Sequence, residues 1–291
     1  MVNLPRTFSF FIVIIFLVQN TALSQNSINA LNIWEEMNTP VQLTETDNLP
    51  LQYKTWTLDF KSLKAALSQS FNAENDTKVI LEIPFPGGEI STFEIARTNV
   101  MHPELAAKFP EILTFSGFDL ENKNQSVNLT LTPSGLRASV VSGKDRIRIR
   151  PASKENNSLH LSYFIKDLDQ NNFEPWECEA MKAVKETIEK ENQNLAESAG
   201  DCQLRTYRLA LACTGGYAQK FGGTKSEVME EFVSTVSNLN AFLQREVGVF
   251  LEMVRDNDDL IFLNASTDGY TEGDRGAMIN ENQTKCNNVI G

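Results

Sequence analysis

Hydrophobic and polar positions change rhythm along this chain, and the rhythm divides it. From Gln52, Tyr53, Thr55, Thr57 and Asp59 alternate with Lys54, Trp56, Leu58 and Phe60, a period of two that predicts a strand. Leu63 to Leu67 reads as a short helix. Lys78 to Pro84 and Ile90 to Ala96 are alternating runs joined by Pro86-Gly87-Gly88, the composition of a hairpin. Pro103 to Phe109 is a short helical segment. Strands follow at Ile112–Ser116, Val127–Thr132, Leu136–Val141, Arg146–Arg150 and Leu159–Phe164, separated by turn residues. Short strands at this spacing predict a mostly β region with small helices.

The pattern then breaks. Residues 166–202 are charged, and the stretch "KAVKETIEKENQNLAESAG" contains no aromatic side chain, which predicts a linker with partial helix. Beyond it, Leu204 to Cys213 reads as a buried strand, and Gly215-Gly216 and Gly222-Gly223 frame a loop. Thr224 and Glu227 form a capping box. Met229, Phe232, Val236, Leu239 and Leu243 recur at helical spacing up to about Glu246. Val247–Val254 and Leu260–Leu263 read as two further strands. Strand, long helix, strand is a β-α-β opening of an α/β domain. The expected fold class is α+β leading into α/β, with the second domain truncated. Its helix from Thr224 and strand from Val247 are expected to leave an apolar face exposed.

The N-terminus is set apart by its own pattern. Arg6 is followed by the apolar run Phe8–Val18 and the small residues Ala22 and Ser24, the layout of a cleaved signal peptide rather than a spanning helix. Cleavage after Ser24 predicts an exported mature chain beginning at Gln25. The expected organisation is a signal peptide at 1–24, a polar lead-in at 25–50, a β-rich region at 51–165, a linker at 166–202 and the α/β opening at 203–291. Without Arg6, 25 basic residues face 38 acidic ones. That balance argues against nucleic acid and against anionic membranes as partners.

Four cysteines in an exported chain permit two disulfides. Cys202 and Cys213 flank a predicted strand that would hold them about 36 Å apart, too far to bond. The preferred pairing is Cys213 or Cys202 with Cys286. Sequons at Asn75, Asn124, Asn128, Asn156, Asn264 and Asn282 would be glycosylation sites in a eukaryotic secretory pathway.

The stretch "LRTYRLALACTGGYAQKFGGT", with "DNDDLIFLNASTDGYT" and "NENQ" after it, resembles the start of the secreted bacterial reprolysin-like metzincin peptidases. Upstream, "VILEIPFPGGEISTFEI", "MHPELAAKFPEILTFSG" and "YFIKD" resemble their pro-region. The resemblance implies a secreted zinc endopeptidase acting on protein or peptide substrates. Its metal would sit on a helix bearing H-E-x-x-H, where two histidines project from one face beside a glutamate that acts on zinc-bound water.

That motif is not in this sequence. The chain has two histidines, His102 and His160, and neither sits in such a context, so both read as surface or packing side chains. This polypeptide alone is therefore expected to be inactive and to hold no zinc. Cys178, in "FEPWECEA", is a candidate inhibitory zinc ligand of the switch-cysteine kind; it reads equally as a disulfide partner or an idle thiol. The acidic residues Asp256, Asp258, Asp259, Asp268, Glu272 and Asp274 lack calcium-loop spacing and read as solvated turns. The alternative function is a non-catalytic secreted binding or pro-domain-like module.

Overall fold

The computed structural model describes residues 32–37, 49–71, 78–168 and 203–290. Its fold is mixed α+β, dominated by a large curled antiparallel sheet. Nine strands build that sheet: β1 (Trp34–Met37), β2 (Lys54–Leu58), β3 (Val79–Pro84), β4 (Ile90–Thr98), β5 (Leu113–Asp119), β6 (Gln125–Thr132), β7 (Gly135–Ser142), β8 (Asp145–Ser153) and β9 (Asn156–Phe164). Their spatial order is β1-β2-β9-β8-β7-β6-β5-β4-β3. The strand β1 lies inside the expected lead-in, where its four residues are too few for a period of two to show.

From β6 to β9 the sheet is a meander whose strands are joined by two-residue turns. Gly143 takes φ 60° in one of them, a conformation other residues reach only with strain. Helix α1 (Phe60–Phe71) carries the chain from β2 to the far edge strand β3, burying Leu63 and Leu67 in the sheet's concave face. The two ends of the sheet then approach each other. The Trp34 indole N–H donates to the Glu82 carbonyl at 2.8 Å, and the Ser162 hydroxyl to the Pro84 carbonyl at 2.8 Å. Alternate residues of β6, β7 and β8 (Val127, Leu129, Leu136, Val140, Ile147, Ile149) fill the interior.

The 203–290 region contributes β10 (Arg205–Leu209), α3 (Gly215–Lys220), α4 (Lys225–Val247), β11 (Val249–Met253) and α5 (Arg275–Ile290), with α2 (Pro103–Lys108) facing it from between β4 and β5. Strands β10 and β11 are parallel, Arg205 opposite Val249 and Leu209 opposite Met253, with α4 as the crossover.

Several expectations are corrected here. The strand expected over Leu204–Cys213 is only five residues long and mostly exposed. It stops because the Asn257 side chain takes over the backbone of Leu211, accepting from its N–H at 2.8 Å and donating to its carbonyl at 3.0 Å. The strand expected at Leu260–Leu263 is a single parallel bridge, Cys213 to Ile261, preceded by a 3-10 turn at Asn257–Leu260. The expected glycine loop contains α3, capped by the Thr214 hydroxyl, which accepts from the Tyr217 N–H. Helix α5 had no counterpart in the sequence pattern.

Candidate functional site

Helix α4 lies between the two sheets and makes contacts to both. Thr224 starts the helix, its hydroxyl accepting from the Glu227 N–H at 3.2 Å and donating to the Glu227 carboxylate at 2.6 Å. This is a variant of the expected capping box, in which the carboxylate takes the hydroxyl proton. Gly248, at φ 64°, ends the helix. One face of α4 packs Val228, Met229, Phe232, Val233 and Val236 into a core with Met253 and Ile261. Asn240 mimics a neighbouring strand for β11, donating to the Leu251 carbonyl at 2.9 Å and accepting from its N–H at 2.8 Å.

The opposite face of α4 lies on the convex side of β6 and β7. Arg137 grips Glu231 with both terminal nitrogens, at 2.6 and 2.5 Å. The Asn128 amide donates to the Ser237 carbonyl at 3.3 Å, and the Arg146 guanidinium lies 4.4 Å from the Phe242 ring centre. Most of the apolar face expected to be exposed on this helix is covered, while Leu239 and Val247 stay exposed. A glycan on Asn128 is incompatible with this packing, because its side chain is buried under α4.

The outer edge of β11 is covered in the same way. Met101 pairs in parallel with Met253: the Met253 N–H donates to the Val100 carbonyl at 2.8 Å, and the His102 N–H to the Met253 carbonyl at 2.9 Å. Residues 100–102 thus act as a short third strand, and α2 follows at once. Lys108 of α2 reaches Asp258 at 2.6 Å, and Lys225 reaches Asp259 at 3.2 Å. Asp258 is a buried docking partner for lysines rather than part of a solvated turn, whereas Asp259 stays exposed as expected. Asp268, expected to be solvated, is buried; its carboxylate accepts from the N–H groups of Gly215 at 2.7 Å and Tyr270 at 2.9 Å.

Neither histidine is placed for catalysis. The His102 ring accepts from the Glu104 N–H and caps α2. His160 is wholly buried against Trp34, and its Nε2 accepts from the Leu136 N–H at 3.3 Å. Burial, the dominant cause, pulls its pKa down to about 4, so the ring is neutral. The Cys213 thiol is pushed up chiefly by burial, which keeps it protonated and poorly suited to binding a metal. Burial likewise pushes the phenols of Tyr217 and Tyr270 up to about 12.

Cys213 and Cys286 are both free, so the preferred Cys213–Cys286 bridge is not formed. Cys178 and Cys202 lie outside the described residues, and with them the inhibitory-ligand reading; the free Cys286 also rules out the Cys202–Cys286 pairing. Among the described residues no three His, Cys, Asp or Glu side chains converge to hold a metal ion. No helix among them is long and apolar enough to cross a membrane. A groove of about 410 Å³ runs between Phe118, Asn124, Leu204 and Arg245, and no carboxylate, histidine or thiol lines it.

The β10-α4-β11 unit and its flanking turns coincide with a recognisable family segment. Residues 203–291 match the family model described as metallo-peptidase family M12B, reprolysin-like. A comparison with curated proteins gives no match.

Proposed function

We propose that this chain is the N-terminal part of an exported zinc endopeptidase of the metzincin type. In this reading residues 1–24 direct export, the curled sheet is the pro-region, and 203–291 open the peptidase domain. The observation that carries it is the coincidence of the reprolysin-like match with a parallel strand–helix–strand unit, the layout on which an α/β peptidase domain is begun. Zinc, where this family holds it, polarises the substrate carbonyl and activates water. The described residues do not fit that ion: no three His, Cys, Asp or Glu side chains converge among them, one imidazole is buried and neutral, the other caps a helix, and the Cys213 thiol is held protonated.

The strand order is consistent with this division of labour. Residues 100–102, β11 and β10 lie side by side, with Ile261 continuing the β11 side beside Cys213, so one edge is taken by the N-terminal region and further strands could add only along the outer edge of β10. Reading the gene past the codon for Gly291 tests the proposal. An in-frame H-E-x-x-H with a third histidine, and chelator-sensitive proteolysis by the resulting product, are the expected results. A stop codon there, with no such motif in any overlapping frame, would sink it.

A further inference from the structure

We propose that residues 32–168 stay bound to residues 203–290 when the chain between them is cut, so that a matured protein is a noncovalent two-chain complex rather than a peptidase that has shed its pro-region. The idea that a cut occurs rests on the function proposed above; the association itself does not.

The argument begins with an asymmetry between the two cores. The curled sheet has a hydrophobic core drawn entirely from its own strands, α1 and the adjoining Ile33 and Phe85. The 203–290 region has no such independent core among the described residues. Its buried apolar side chains form one cluster with Val100, Met101, Leu105 and Ile112 from the other side of the connection. Departure of the N-terminal unit would remove four of the thirteen buried members of that cluster and open the remainder to water.

Backbone pairing points the same way. The Met253 N–H and carbonyl are both satisfied by residues 100–102, and losing these partners would leave a bare strand edge. On the helix, α4 would lose the bidentate Arg137–Glu231 pair and the Asn128 contact together. The interface thus joins a shared core, a strand addition and charged contacts. Only the last of these weakens appreciably in salt. Staying bound also leaves the outer edge of β10 open, so it does not obstruct growth of that domain.

The test uses the full chain with a recognition sequence for a site-specific protease inserted between Leu168 and Gln203. After complete cutting, the two fragments are expected to co-elute in gel filtration at the position of the uncut chain. They should do so both at physiological salt and at about 1 M salt, and separate only in denaturant. Fragments that part in native buffer overturn the proposal. Leu105→Ala, which truncates a side chain buried in the shared cluster and absent from the sheet's own core, should weaken association at least about tenfold. Ile112→Ala serves as the second variant should the first not fold. Unchanged association in the folded variants would show that the shared cluster does not hold the halves together. A missing H-E-x-x-H would defeat the function proposed above and leave this result standing, because the readout is association and not proteolysis.

Discussion

Two side chains make individual residues testable. His160 is neutral and buried, with a pKa near 4 against the ordinary 6.5. Above pH 6.5 both folded and unfolded chains hold it neutral, and it adds no pH dependence. Between 6.5 and 4 the unfolded chain takes up a proton that the folded one refuses, so stability falls with pH, by up to roughly 3 kcal/mol. Urea midpoints at pH 7 and 5 should therefore drop for the natural chain and drop less for His160→Gln, which keeps an acceptor for the Leu136 N–H. Equal slopes would remove His160 as the cause. Arg137 and Glu231 lie between the exposed and the buried extremes of ion pairing. Glu231→Ala should cost on the order of 2 kcal/mol, and a double-mutant cycle with Arg137→Ala should show the two losses to be coupled. Additive losses would mean that the pair contributes no energy of its own.

Legibility at the level of elements followed the physics of each one. The meander strands could be read because every second residue is apolar and every turn carries its own chemistry. The docking face of the sheet could not. Asn128, Thr130, Thr132 and Ser139 are buried polar residues on the convex side, and in an alternating pattern they look like ordinary solvent-facing positions. The available signal was the lack of charge at the four outward positions of β6, which carry Ser, Asn and Thr where a solvated strand commonly shows Lys or Glu. Strand β10 was read too long because an apolar run does not reveal that Asn257 will claim the backbone of Leu211. Asn240 does similar work for β11, and it is wholly buried. Replacing it with Leu would leave the Leu251 N–H and carbonyl unpaired and should destabilise the fold by about 2–4 kcal/mol. Thermal unfolding would show this as a clear fall in the midpoint, and an unchanged midpoint would argue that water satisfies the Leu251 groups.

On the scale of the whole molecule, the open question is what the residues of this sequence can do without further ligands. A zinc site of the peptidase kind takes three protein ligands and a water, with a glutamate beside the metal. Beyond Gln203 the sequence holds no histidine, and its two cysteines are set far apart in sequence, one of them with a thiol that burial keeps protonated. Asp258 and Asp268 carry carboxylates, yet one is paired with Lys108 and the other is consumed by two backbone N–H groups. Recruiting either as a ligand would break an interaction that holds this region together. The purified 25–291 polypeptide should therefore bind zinc no more tightly than about micromolar, roughly 8 kcal/mol of binding free energy, and cleave no general protein substrate. Titration calorimetry in a non-chelating buffer measures the first and a fluorescent casein assay the second. Nanomolar zinc binding, or proteolysis that chelators abolish and that survives removal of contaminating proteases, would mean that residues outside those described, Cys178 foremost, assemble a metal site that the spacing of this sequence does not announce.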